Sequence, residues 1–114
     1  MSDPLAPPLS PQAFQILLSL VDGRDRHGYA ILRDIEERTG GEIRLTASTL
    51  YAAIKRMLDG GLIAEVDAPE TSGGAPRRCY RITKTGMDTA RREAESLART
   101  VDMARRKRLL SGRT

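Results

Sequence analysis

The side chains that could do covalent or metal chemistry in this chain are few, and they include one histidine, His27, and one cysteine, Cys79. One cysteine forms no intrachain disulfide, and one histidine without a cluster of thiols or carboxylates makes a poor metal site. No glycine motif that cradles a phosphate joins a strand to a helix. The sequence therefore predicts neither an enzyme nor a protein that holds a metal or a cofactor.

Hydroxyl and cationic side chains are instead grouped at two places, and both groups suit contact with nucleic acid. One group lies within residues 46–60, and the other follows the glycine-rich run of residues 68–76. Hydroxyl, ammonium and guanidinium groups donate hydrogen bonds to phosphate oxygens and to base edges. The alternative for each group is an ordinary solvated surface. The candidate contact residues are Ser48, Thr49, Tyr51, Lys55, Arg56, Arg77 and Arg78.

Three helices are predicted in the first half of the chain. Apolar residues recur at helical spacing over residues 11–22, 27–38 and 46–60. Ser10 and Thr46 supply side-chain oxygens at the N-cap positions of the first and third of these helices. In the third helix the apolar positions face the core, which leaves the candidate contact residues on the outward face and its flanks.

A β-hairpin is predicted after the third helix. Residues 62–66 and 77–82 have the alternation of two paired strands, and residues 68–76 form the long tip by their composition. Ile43 and Leu45 indicate a further short strand ahead of the third helix. The predicted fold class is therefore mainly α with a small β-hairpin.

The final helix, predicted over residues 84–110 and capped by Thr83, carries a narrow apolar seam. Residues of the seam recur at alternating spacings of three and four, which is typical of one helix packing along another. The seam is longer than the small body could cover, so we expect a second copy of the chain to cover it. The predicted dimerisation residues are Met87, Ala90, Ala94, Leu97, Val101 and Ala104.

The order of these elements predicts a winged helix-turn-helix. In that fold three short helices precede a hairpin, the third helix enters the DNA major groove, and the hairpin contacts the backbone or the minor groove. A chain of 114 residues suffices for one such domain. The predicted division is a disordered arm at 1–9, the winged helix-turn-helix at 10–83, the dimerisation helix at 84–110 and a tail at 111–114.

The distribution of charge leaves a second hypothesis open. The formal net charge is +4, but residues 1–83 carry 10 Lys and Arg against 11 Asp and Glu, whereas residues 84–114 carry 9 against 4. The body that would meet DNA is therefore close to neutral. A winged helix that contacts protein, as an adaptor or antagonist of another regulator, is the alternative function. Such a protein would show no salt-sensitive binding to duplex DNA.

The sequence gives no sign of export or membrane insertion. The longest apolar run, at residues 16–21, is far too short to cross a bilayer. The N-terminus lacks the basic start and long apolar run of a signal peptide. We therefore expect a cytoplasmic protein with no membrane partner.

Structural roles are expected for several residues that could be read otherwise. His27 is expected to pack or to cap the start of the second helix, rather than to sense pH or bind a metal. Cys79 is expected to be an ordinary strand residue; as a redox switch it would need the neighbouring arginines to lower its pKa. Tyr80 is expected on the core face, and the basic run at 105–108 as a solvated helix end.

Several short motifs follow one another along the chain: HGYAI at 27–31, STLY at 48–51, Arg56, GLI at 61–63 and RRCYRIT at 77–83. In this order and at this spacing they resemble the PadR family of bacterial transcriptional regulators. The resemblance covers about residues 12–100 and suggests the short form, with a single C-terminal helix. It implies a winged-helix repressor, a homodimer paired through that helix, and a palindromic operator. Members of the family often respond to small molecules such as phenolic acids or drugs, and others answer to different signals, so the resemblance implies either a small-molecule effector or a signal of another kind.

Overall fold

The computed structural model describes residues 9–67 and 78–110. Its elements confirm the predicted order of three helices, two hairpin strands and a long final helix. The predictions for residues 1–8, for the loop at 68–76, for Arg77 and for the tail lie outside the described residues. The elements are α1 (Pro11–Leu18), β1 (Arg26–His27), α2 (Gly28–Arg38), α3 (Ala47–Asp59), β2 (Ile63–Asp67), β3 (Arg78–Ile82) and α4 (Lys84–Arg106).

The core forms where the apolar faces of the first three helices meet. Each helix presents apolar residues at spacings of three and four, and these residues are buried against the other two helices and the sheet. Leu9, which we expected in the N-terminal arm, packs against the edge of this core. The largest fully buried side chains are Ile16, Leu17, Leu20, Ile31, Ile35, Leu50 and Ile54.

The predicted helix caps are all formed. The hydroxyls of Ser10, Thr46 and Thr83 each accept a hydrogen bond from the backbone N–H three residues later, at 3.1, 3.1 and 3.0 Å. Each bond satisfies one of the amide donors that a helix leaves unpaired at its start. The starts of α1, α3 and α4 are thus set by local chemistry.

Helix α1 ends at Leu18, four residues earlier than predicted. Two arginines from later in the chain hold its end: Arg38 Nη2 donates to the carbonyl oxygen of Gln15 at 3.0 Å, and Arg26 Nε donates to that of Ser19 at 2.8 Å. Carbonyls at a helix C-terminus lack partners within the helix and attract cations. The two guanidinium groups therefore stabilise an end that the apolar pattern alone does not mark.

The strands form a three-stranded antiparallel sheet in the order β1-β3-β2, rather than the two-stranded hairpin predicted. The extra strand is β1, which has no counterpart among the predicted elements; its His27 pairs with Cys79 of β3. The short strand predicted at Ile43 and Leu45 was wrong. The Ile43 N–H donates to the Thr39 hydroxyl at 3.0 Å, so a side chain takes the place of a strand partner.

Helix α4 is joined closely to the body only near its start. Gly86 is buried against the carbonyl oxygen of Leu62, and Ala90 is buried beside α1. The helix runs to Arg106 rather than to residue 110 as predicted. No helix within the described ranges has both the length and the apolar character needed to cross a membrane.

Candidate nucleic-acid interface

Helix α3 divides cleanly into a buried side and an outward side. Leu50, Ile54 and Met57 are buried, and successive residues are turned by about 100° in an α-helix. Ser48 and Lys55 therefore lie on the side opposite the core, and both are exposed. This outward face has no β-branched or aromatic side chain between them, only Ala52, so a flat or convex surface could approach it closely.

The remaining candidate residues of α3 lie on its two flanks. Tyr51 is on the flank facing the start of α2, where its hydroxyl lies against Gly28. Thr49 and Arg56 are on the other flank, and Arg56 borders a shallow cleft next to Ser10. The structure thus places Ser48 and Lys55 together, with Tyr51 and Arg56 on opposite edges of the same surface.

The polar groups of this face are only lightly held within the chain. Thr46 Oγ1 donates to Thr49 Oγ1 at 2.9 Å and lies 3.3 Å from Ser48 Oγ, forming a small hydroxyl cluster at the helix N-terminus. Lys55 Nζ is 3.8 Å from a carboxylate oxygen of Asp59, and both side chains are exposed. Exposed ion pairs of this kind contribute little free energy, so Lys55 is available to an external anion.

The strands beside α3 carry two arginines that the structure describes. Arg78 Nε is 3.0 Å from Glu65 on the neighbouring strand, and its side chain stays 78% exposed. Arg81 instead makes two hydrogen bonds to Asp25, at 2.8 and 2.9 Å, which ties β3 to the turn before β1. These bonds to Arg81 lower the pKa of the Asp25 carboxyl. Arg78 therefore faces solvent, whereas Arg81 has a structural partner.

A cleft of about 500 Å³ lies between β1, the start of α2, α3 and β3. Two of its lining residues were among the predicted contact residues, and three were not. Neither the helical nor the strand pattern brings these five together, because they come from four different elements. The lining residues are His27, Tyr29, Tyr51, Arg78 and Tyr80.

The residues given structural roles from sequence hold those roles. His27 caps α2, its Nδ1 accepting from the Ala30 N–H at 3.3 Å, and Tyr80 is buried at 4% exposure. Cys79 lies in β3 as an ordinary strand residue, and its pKa is not lowered as a redox switch would need. Burial raises the pKa of this thiol, and the negative charge of Asp25 raises it further. Arg78 and Arg81 are paired with Glu65 and Asp25. Among the described residues, no cluster of three or more metal-ligating side chains occurs.

The sequence matches a known family over about two thirds of its length. The model of the transcriptional regulator PadR-like family matches residues 17–92. The chain belongs to this family. Members of the PadR-like family are transcription regulators rather than enzymes, which confirms the predicted class of protein. The family model and the solved structures of similar proteins together also confirm the predicted winged-helix fold.

Structures or sequences of proteins similar to this PadR-like protein are known from several bacteria. A PadR family transcription regulator from hypervirulent Clostridium difficile R20291 is 27% identical, with a TM-score of 0.75 over 85% of this chain and 97% of that one. Bacillus subtilis PadR, solved in complex with operator DNA, is 23% identical, with a TM-score of 0.61 over 69% of this chain and 44% of that one; this likeness shows the fold alone.

A curated relative, an uncharacterized protein X from Lysinibacillus sphaericus, is 37% identical over 71 residues. The match covers 62% of this chain and 64% of that protein. The PadR-like chain thus spans less than two thirds of the length of this relative.

Proposed function

We propose that this PadR-like regulator is a repressor that binds a pseudo-palindromic operator as a homodimer. The single observation that carries the proposal is the outward face of α3, where Ser48 and Lys55 lie exposed. The Arg78 side chain of β3 is also exposed and lines one cleft with Tyr51 of α3. In a winged helix-turn-helix this is the surface that meets the major groove. The operator complex of Bacillus subtilis PadR supports the same use of the fold.

The candidate residues divide into two kinds of DNA contact. Ser48 and Thr49 at the start of α3, together with Lys55 and Arg56, suit hydrogen bonding to base edges in the groove. Tyr51, Arg77 and Arg78 lie outside that group and suit phosphate contacts, which set affinity and register but carry no sequence information. Because the body is almost neutral, these few cations must supply most of the attraction between protein and DNA.

The homodimer is proposed from the far half of α4. Of the seam residues, Ala90 is buried against the body of its own chain, whereas Leu97 and Val101 remain 43% and 38% exposed in the single chain. An apolar stripe of this kind on a charged helix is favourable when a second helix covers it. We therefore divide the chain into a DNA-binding unit at 10–83 and a dimerisation segment at 84–110, which contains α4.

Repression would follow when the bound dimer blocks RNA polymerase, and the protein would act in the bacterial cytoplasm, where its DNA lies. A small-molecule effector would release the operator by favouring a different separation of the two α3 helices. An effector has this consequence only if it binds one arrangement of the dimer more tightly than the other.

Removal of single cations tests the proposal. Lys55→Ala and Arg78→Ala should each weaken binding to the DNA upstream of the protein's own gene, because each removes a positive charge that faces the duplex. Each variant should also reduce the slope of log K against log salt by about 1, since one fewer counterion is released. Fluorescence anisotropy titrations at several salt concentrations would measure both quantities.

Two matched controls lie on α4, outside the proposed face. Lys84 is exposed and pairs with the carboxylate four residues later, as Lys55 does, and Arg91 is exposed and pairs with Asp88. Lys84→Ala and Arg91→Ala should keep the salt slope of the unmodified protein. A duplex affinity with no salt dependence in the unmodified protein, together with capture of a protein partner, would favour the adaptor hypothesis instead.

A further inference from the structure

We propose that the cleft lined by His27, Tyr29, Tyr51, Arg78 and Tyr80 seats one phosphodiester of the DNA backbone in each protomer. The inference rests on the proposed function and extends it, since it adds a phosphate site and brings His27, Tyr29 and Tyr80 into DNA binding. The cleft adjoins both α3 and β3, so DNA that meets these two elements passes across its mouth.

The first argument is the chemistry of the lining. Three tyrosines, one histidine and one arginine line the cleft, and none of its described lining residues carries a carboxylate. Burial raises the pKa of Tyr80, so its hydroxyl keeps its hydrogen and acts as a donor. Donors around one cation are the arrangement that binds phosphate oxygens.

The second argument is the hydrogen bond that His27 makes. Its Nδ1 accepts from the Ala30 N–H, so the neutral ring carries its hydrogen on Nε2. The cap of α2 thereby fixes the imidazole as a donor at its far nitrogen. His27 lines the cleft, and this N–H supplies a further donor to an anion bound there.

The third argument is the placement of Tyr51. A Cβ on Gly28 would collide with the Tyr51 hydroxyl, and the ring atoms Cζ and Cε1 would be 2.7 and 2.9 Å away. The absence of a side chain at Gly28 therefore lets the phenol ring lie on the first turn of α2. Gly28 is a positioning residue, because it acts on a ligand only through Tyr51.

The size and position of the cleft favour a phosphodiester over a free anion. A volume of about 500 Å³ exceeds the needs of one inorganic phosphate but accepts a phosphate with its flanking sugars. Among the described residues, Arg78 is paired with the exposed carboxylate of Glu65, an interaction that a phosphate could replace at little cost. The tyrosine hydroxyls contribute hydrogen bonds to a phosphate without releasing counterions.

The test uses two variants that keep the fold. Tyr29→Phe removes one exposed hydroxyl, and His27→Asn keeps a good N-cap oxygen while removing the far donor. Each should weaken duplex binding by about tenfold, the usual effect of one hydrogen bond to a charged group. The loss should be equal for the operator and for a mixed-sequence duplex, and the salt slope should not change.

Gly28→Ala separates positioning from general damage. The new Cβ displaces the flexible end of Tyr51 rather than the backbone, so the affinity for duplex should fall although the melting temperature stays the same. Adding Gly28→Ala to Tyr51→Phe should then cause little further loss, since both changes remove the same contact. Ser96→Ala, which removes an exposed hydroxyl from α4, serves as the control and should bind as the unmodified chain does.

Different results contradict different claims. If the unmodified protein binds no duplex, the proposed function fails. If it binds, and Tyr29→Phe and His27→Asn bind equally well, only the phosphate site fails. A loss seen with the operator but not with the mixed-sequence duplex would assign the cleft to base readout and would also overturn the site.

Discussion

Val101→Asp is expected to convert the dimer into a monomer and to lower operator affinity by about 100-fold or more, because two linked half-site contacts become two independent ones. The side chain is 38% exposed in the single chain and lies in the far half of the seam that a second α4 would cover. A carboxylate buried there without a partner would oppose association strongly. Light scattering with size-exclusion chromatography would give the mass, and anisotropy the affinity.

Met103 provides a matched control on the same helix. It is 50% exposed, but two residues after Val101 it lies on nearly the opposite side of α4. Met103→Asp adds the same charge at a similar exposure and should leave both the mass and the operator affinity unchanged. If both variants were monomeric, general damage to α4 would explain the effect, and circular dichroism would show it. If both were dimeric, the seam would not be the interface.

Gly86→Ala is expected to lower the free energy of unfolding by about 3 kcal/mol, at the upper end for an added methyl group in a packed site. A Cβ at this position would collide with the carbonyl oxygen of Leu62 and would lie 2.9 Å from Cγ1 of Ile82. The Leu62 carbonyl cannot easily move away, since it accepts from both the N–H and the hydroxyl of Thr83, at 3.1 and 3.0 Å.

The matching control for this second variant is Gly60→Ala. Gly60 has helical backbone angles, and a Cβ there would lie 3.4 Å from the Arg56 carbonyl oxygen and 3.9 Å from that of Met57. Thermal melts at one fixed protomer concentration should show a fall of about 15 °C for Gly86→Ala and little change for Gly60→Ala. Equal melting temperatures for the two variants would mean that α4 is not fastened at Gly86.

The elements of this fold that could be predicted are those whose causes lie close together in sequence. The helix starts could be predicted at Ser10, Thr46 and Thr83, because a capping hydroxyl accepts a hydrogen bond from an amide only three residues away. The helical spacing of the apolar residues likewise predicts the buried side of α3, and it therefore also predicts the outward position of Ser48 and Lys55.

The features that could not be predicted depend on partners far away in sequence. Strand β1 is two residues long, too short for any periodic pattern, and exists because β3 pairs with it. The early end of α1 depends on Arg38, which lies 23 residues after Gln15. The cleft also depends on residues far apart in sequence, since Tyr29 and Arg78 line it together only in the folded sheet.

Because α4 is long and is firmly attached to the body at Gly86, a rotation of this helix is passed on to the body. Its 23 residues span about 35 Å, at about 1.5 Å for each residue. If α4 turns by about 5° about its C-terminal end, its N-terminal end moves by about 3 Å. This distance is close to the rise of about 3.4 Å between base pairs. Gly86 couples the N-terminal end of α4 tightly to the residues that follow α3. A small change in the angle at which the two α4 helices cross in the proposed dimer would therefore shift the contact of α3 with DNA by a full base step.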